Sequence, residues 1–210
     1  MRAKSALAML GVASLATPSC AMAYEGPEYV VVEKHGNIEV RDYAPYLVVE
    51  TEVEAGFDGA GRRAFRRLAA YIGGANTSDT SIEMTVPVEQ RLPGQRIEFN
   101  GPVNQTTRGD AYVVSFVIPS KFDAQTVPQP TDERLSIRKE PERRVVALRY
   151  SGFWSKSAYE ERERQALEYA RAEGYRPAGP AVYARYNDPF TLWFMRRNEV
   201  LVPVERRAQP

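Results

Sequence analysis

Arg62, Arg63, Arg66 and Arg67 form a dense set of cations whose spacing places them on one side of a helix. Guanidinium groups so gathered pair bidentately with carboxylates or phosphates, although a charged helix face more often simply meets water. The chain has a single histidine, His35, and a single cysteine, Cys20. His35 stands in Lys34-His-Gly-Asn37, a run suited to a hairpin turn, so a turn position is weighed there against the one imidazole ligand available. Without clustered His or Cys the pattern supports no zinc site, and no serine lies in a nucleophile-elbow motif. Gly73-Gly74 closes a helix where a phosphate cradle would open one. Glu160 and Glu161 fall in a first helical turn, where they answer the helix dipole. Nothing in this inventory points to an enzyme.

The side chains sit on 210 residues, enough for one substantial core or two halves that share one. Arg2 and Lys4 precede the apolar run Ala6 to Ala16, and Ala21-Met-Ala23 carries the small residues of a cleavage site. Residues 1–23 are therefore expected to be a secretory signal, too short to stay as a membrane span, with the folded domain at 24–210 and an exported, periplasmic or secreted product. Cleavage there removes two cations and no anion, leaving 26 Lys+Arg against 27 Asp+Glu and no cysteine. Near neutrality gives no general attraction for nucleic acid or an anionic membrane.

Elements that would position the chemistry follow from periodicity. Tyr29 to Glu33 and Ile38 to Tyr43 read as strands of a hairpin, and Tyr46 to Val53 as a third strand. A helix comes next, with Asp58 as the expected cap and Phe57, Gly61, Ala64, Phe65, Leu68 and Ile72 on its apolar face. Ile82 to Val88 alternates as a strand, with Pro87 placing it at an edge or a bend. Loops are expected over Leu92 to Gly94 and Asn100 to Asp110, then a strand at Ala111 to Ile118 and an extended, proline-bearing connection. The second half repeats the first: Leu135-Ser-Ile-Arg138 echoes Ile38-Glu-Val-Arg41 at an offset of 97, and Ser151-Gly-Phe153 echoes Ala55-Gly-Phe57. A second helix follows, with capping-box spacing in Ser157-Ala-Tyr-Glu160 and Gly174 at its end, then strands at Ala181 to Tyr186 and Glu199 to Val204. The reading is an α+β chain of two duplicated units related by a pseudo-twofold axis.

Six separated stretches carry a family resemblance. They are Ile38-Glu-Val-Arg41 with Tyr43, Tyr71-Ile-Gly-Gly-Ala-Asn76 with Met84-Thr-Val-Pro-Val88, and Phe116-Val-Ile-Pro119 with Pro128 and Pro130. Ser151-Gly-Phe153, Tyr186-Asn-Asp-Pro189 and Arg196-Arg-Asn-Glu-Val200 complete the set. Together they resemble the SOUL haem-binding proteins over nearly the whole mature chain.

The resemblance implies a twisted, barrel-like antiparallel sheet with two helices, similar to regulator effector-binding domains that hold ligands between their halves. It implies non-covalent binding of haem or a related tetrapyrrole on the first helix, with Arg63, Phe65, Arg66 and Arg67 as candidate contacts and His35 as a weak candidate for the iron. Haem asks for an apolar surface, cations for its propionates and an optional axial ligand. The histidine that some relatives place after Ile-Arg corresponds to Asp42, so that ligand is missing. Tyr43 and Met84 are expected in the core, Met195 on a loop, and Glu199 with one arginine as a fastening of the last strand. Two other readings stay open: a groove for another small aromatic ligand, and an interaction protein without a cofactor.

Overall fold

The computed structural model describes residues 24–93 and 111–205. The expected signal at 1–23 and the loop expected at Asn100 to Asp110 lie outside the described residues. Strands β1 (Tyr29–His35) and β2 (Ile38–Tyr43) form the first hairpin. Gly36 takes φ +60° in its turn, a left-handed conformation that only glycine adopts freely. Strand β3 (Tyr46–Glu54) leads into helix α1 (Phe57–Ile72), followed by β4 (Val88–Arg91) and β5 (Ala111–Val117). The second half supplies β6 (Ser136–Glu140), β7 (Arg143–Tyr150), helix α2 (Lys156–Ala172), β8 (Arg176–Pro177), β9 (Val182–Arg185) and β10 (Asn198–Glu205).

All the ladders are antiparallel and join one sheet in the order β1-β2-β7-β10-β9-β4-β5-β3-β6, with β8 added beside β10. About the β9–β4 seam this order is palindromic: β2 answers β6, β7 answers β3, and β10 answers β5. Register agrees. Val40 pairs with Val146, and the equivalent pair in the other half is Ile137 with Val49, both members displaced by 97 residues. The duplication legible in the sequence is therefore a pseudo-twofold axis through the seam. Each half lends a strand to the other, since β2 lies on second-half β7 and β6 on first-half β3.

Helix α1 packs on β3 and β5, and α2 on β7 and β10, so both helices bury into one apolar core. In α1 the buried residues Phe57, Ala60, Ala64, Leu68 and Tyr71 recur at three- and four-residue spacing. Each large side chain among them contributes about 1.5–3 kcal/mol by leaving water. The other face of the sheet carries a smaller cluster of Tyr43, Val145, Ala147, Val182, Ala184 and Leu201.

Several local expectations change. Gly56, not Asp58, caps α1: its carbonyl accepts from the Gly59 and Ala60 amides, and Asp58 falls inside the first turn. Helix α2 starts earlier than the Ser157 box, because Ser155 is still extended and its Oγ accepts from the Ala158 amide at 3.3 Å. Of the strand expected over Ile82 to Val88, only Val88 enters a ladder, because Pro87 has no amide hydrogen to donate. Asn76 is buried and organises its loop through the side chain: Nδ2 donates to the carbonyls of Tyr71 (3.1 Å) and Thr80 (2.8 Å), while Oδ1 accepts from the Ser78 amide (3.1 Å).

Candidate functional site

A groove of about 810 Å³ opens where α1 passes over the seam, and its volume lies within the range of about 300–1,000 Å³ usual for small-molecule sites. Helix α1 supplies Gly61, Arg62 and Phe65 to its wall. The extended segment before β4 supplies Met84 and Val86. The floor comes from Val88 and Gln90 of β4, Val114 of β5 and Arg185 of β9, with Trp154 closing the far side. Tyr186 to Pro189, leaving β9, form the rim, together with Tyr24.

Arg185 is the chemical centre of this groove. Its Nη2 donates to Gln90 Oε1 at 3.1 Å and its Nε to the Tyr159 hydroxyl at 3.2 Å. The guanidinium carbon lies 5.2 Å from the centroid of the Trp154 ring and 5.6 Å from that of Phe57. Among the described residues it forms no ion pair with a carboxylate. Each neighbour is in turn fixed: Gln90 Nε2 donates to the Phe57 carbonyl at 3.0 Å, and Trp154 Nε1 to Asn198 Oδ1 at 2.7 Å. Gly61 makes room, since a Cβ there would sit 3.0 Å from Arg185 Nη1. A half-buried cation held only by neutral groups and aromatic faces leaves its charge available to an incoming anion.

The arginines of α1 do not act as one face. Arg62 stands at the groove, while Arg63 donates to the Glu54 carbonyl at 3.4 Å and Arg67 to Thr51 Oγ1 at 3.3 Å on the opposite flank. Arg66 points outward, exposed and without an ion pair among the described residues. The cause is helical geometry: positions 62, 66, 63 and 67 fan across about 140° at 100° per residue. Phe65 faces the groove, its ring 5.5 Å from Phe116, and is 44% exposed, so an apolar surface remains open to a ligand. Of the four candidate contacts the structure thus brings Phe65 to the groove, leaves Arg66 one turn beyond its rim, and sets Arg63 and Arg67 against β3.

His35 is elsewhere. It ends β1, the outermost strand, four places from β9 in the sheet, with its ring 5.8 Å from that of Tyr169 on α2. It does not meet the α1 residues. Tyr43 is core: burial pushes its hydroxyl up to about 12, and Arg41 donates to it at 3.2 Å. Met84 is half-buried with its side chain along the groove, and Met195 is exposed on a short 3₁₀ turn, Trp193–Met195.

Behind the floor lies a buried ionic cluster. Glu199 accepts from Arg41 at 2.7 and 3.0 Å, from Arg197 at 2.8 and 3.0 Å and from the Tyr186 hydroxyl at 2.8 Å. Burial acts to raise this carboxyl, but the hydrogen bonds and charge of Arg41, joined by Arg197, hold it below the ordinary glutamate value. The expected fastening of the last strand is therefore real but reaches across to β2, and Arg196 is also engaged, donating to the carbonyls of Thr191 and Pro189.

Sequence reasoning missed Arg185, Gln90 and Trp154. One signal was there: Ala181, Tyr183 and Arg185 alternate onto one strand face, so a charge stands in line with core residues.

Comparison with known proteins supplies a further observation. Residues 24–203 match the SOUL heme-binding protein family model. Heme-binding protein 2 of Homo sapiens is 30% identical over 201 residues, 88% of this chain and 92% of that protein. Heme-binding protein 1 of Xenopus tropicalis is 30% identical over 129 residues, 60% of this chain and 63% of that protein. Among solved structures, the C-terminal domain of EcmrR superposes with a TM-score of 0.58 at 10% identity, covering 80% of this chain and 97% of that one. A Listeria innocua hydrolase gives 0.55 at 11% identity over 80% and 92%. Likeness at such identity is a likeness of fold alone.

Proposed function

The chain belongs to the SOUL heme-binding protein family, and from that membership we propose that it is an exported, non-enzymatic protein that holds haem or a related tetrapyrrole without covalent attachment, in the partly open groove at the seam of its halves. One observation carries the placement: an apolar groove with a half-buried arginine, Arg185, that has no carboxylate partner among the described residues. Haem is the ligand of matching character, a broad apolar ring with two carboxylates. Phe65, Val86, Val88 and Trp154 fit the ring; Arg185 within and Arg62 at the rim fit the carboxylates. Arg63 and Arg67 keep a supporting part, tying α1 to β3.

When bound, haem supplies an iron with positions open to a protein or solvent ligand. Met84 Sδ is the soft donor in the lining, whereas Tyr186 is occupied by Glu199 and burial pushes its hydroxyl well up, so it stays neutral. The residues thus favour a weakly ligated iron. Supporting a binding role over catalysis, one of the two carboxylates of the lining, Asp188, is taken up by the Phe190 and Thr191 amides, and the other, Asp58, lies in the first turn of α1, where it answers the helix dipole. Supporting export, the first 23 residues pair a basic start with an apolar run and Ala21-Met-Ala23; fractionation and the mass of the processed N-terminus test it.

The ligand experiment is a hemin titration followed at the Soret band for the wild type, Arg185→Met, and Arg66→Glu/Arg67→Glu. A charge-assisted hydrogen bond is worth about 1.5–3 kcal/mol, so Arg185→Met is expected to weaken binding roughly 10- to 150-fold. The double variant is expected to change it less than threefold. The reverse order would move the site to the outer face of α1. Absence of saturation at one equivalent in the wild type would overturn the haem reading and leave the groove to another amphipathic anion.

A further inference from the structure

From Phe190 to Met195 the chain reads Phe-Thr-Leu-Trp-Phe-Met, without a charge. Phe190 is 94% exposed, Leu192 57%, Trp193 50%, Phe194 55% and Met195 65%. Phe153, 63% exposed, stacks on Trp193 at 5.3 Å and extends the patch. Scattered apolar residues on a surface need no explanation, but five within one six-residue run and a sixth stacked on it do.

This loop is not a slack connection. Asp188 Oδ1 accepts from the Phe190 amide at 2.8 Å and the Thr191 amide at 3.0 Å. The Thr191 amide also reaches the Asp188 carbonyl, and the Met195 amide donates to the Leu192 carbonyl at 2.9 Å. Arg196 clamps the base through the carbonyls of Thr191 and Pro189, its guanidinium 4.2 Å from the centroid of the Trp154 ring. Trp193 receives the Gly152 amide on its own carbonyl at 3.0 Å. Many of the backbone groups at the tip are therefore satisfied from within, while the apolar side chains point away from the body.

We propose that this loop, with Phe153, is a wedge that docks the protein reversibly onto a lipid bilayer at the level of the headgroups. Two observations favour lipid over a protein partner. The run offers ring and methyl surface with Thr191 as its only side chain of polar type besides the indole of Trp193, and a directional protein interface would ask for more. Its Trp and Phe are the residues that settle at a membrane–water boundary, and an internally hydrogen-bonded backbone enters such a boundary at low cost. The near-neutral mature chain makes this an apolar attachment rather than an electrostatic one. The groove rim, Tyr186 to Pro189, runs directly into the wedge, so docking turns the groove mouth toward the membrane. Docking does not depend on which ligand the groove takes.

The test is co-sedimentation of residues 24–210, which include every described element, with phosphatidylcholine vesicles at low and high salt. A Phe190→Asp/Leu192→Asp variant is run beside it; both side chains are exposed, and circular dichroism checks the fold. Saturable, salt-insensitive binding that weakens at least tenfold in the variant supports the wedge. So does quenching of Trp193 emission by lipids brominated near the headgroup, read in a Trp154→Phe background because the chain has two tryptophans. Absence of binding to phosphatidylcholine, binding that the variant retains, or binding confined to anionic lipid and lost in salt would each overturn it. Self-association abolished by the variant, with no vesicle binding, would assign the patch to a second copy of the chain and equally overturn it.

Discussion

Arg41 and Arg185 show how much the surroundings of a single side chain decide. Both are arginines on strands that face the interior, yet Arg41 spends its charge on Glu199 at 2.7 Å while Arg185 meets only Gln90, Tyr159 and aromatic rings. The first is structural and the second is available. Arg41→Ala is expected to cost about 3–5 kcal/mol at pH 7, because it strips its main partner from a carboxylate with no exposed surface. The sign with pH is determined by Glu199. Its carboxyl lies below the ordinary value in the folded protein, so it stabilises above the unfolded value near 4.3, and that contribution is lost as pH falls through the lowered one. The cost of Arg41→Ala should therefore shrink as pH falls through the acid range, because Glu199 without Arg41 takes up a proton more readily. Urea denaturation of both proteins at pH 7 and pH 3.5 measures it, and an equal cost at both would remove Glu199 from the explanation.

At the scale of elements, α1 is placed by its small residues as much as by its large ones. Ala60 and Ala64 are fully buried, and Gly61 lets the helix pass above the Arg185 guanidinium. An added methyl at Gly61 would meet the ends of two side chains, Arg185 and Gln90, and not backbone. Alanine is also the better helix former by about 1 kcal/mol. Gly61→Ala is thus expected to keep or raise the melting temperature while weakening hemin binding severalfold, a separation that a general folding defect would not produce. Thermal melts and Soret titrations on the same preparation check it. The helix itself was legible from its apolar spacing, as were the hairpin at Gly36 and the end of α2 at Gly174. The caps were not, because capping depends on which residue first leaves extended backbone. Ser155 and Ser157 carry the same hydroxyl, and sequence does not separate them.

For the whole molecule, the strand order matters most. Because β2 lies on β7 and β6 on β3, neither half can complete its sheet alone. Unfolding is expected to be one cooperative transition, coincident by far-ultraviolet circular dichroism and tryptophan fluorescence, and residues 24–118 expressed alone should not fold. Two separated transitions would refute the interlock. The sequence by itself determined the fold class, the two helices, the duplication and its offset of 97, because these rest on periodicity and self-similarity that local residues carry. Its spacing set Phe65 on the apolar face of α1, whereas the fold leaves that ring 44% exposed at the groove, and its candidacy as a contact came from the family resemblance. Only tertiary structure decided that Arg63 and Arg67 turn to β3, that His35 lies four strands from β9, and that Arg185 reaches the groove with no carboxylate beside it. The physical reason is that a charge is defined by what lies within a few ångströms of it, and those neighbours come from β4, α1 and α2, far away along the chain.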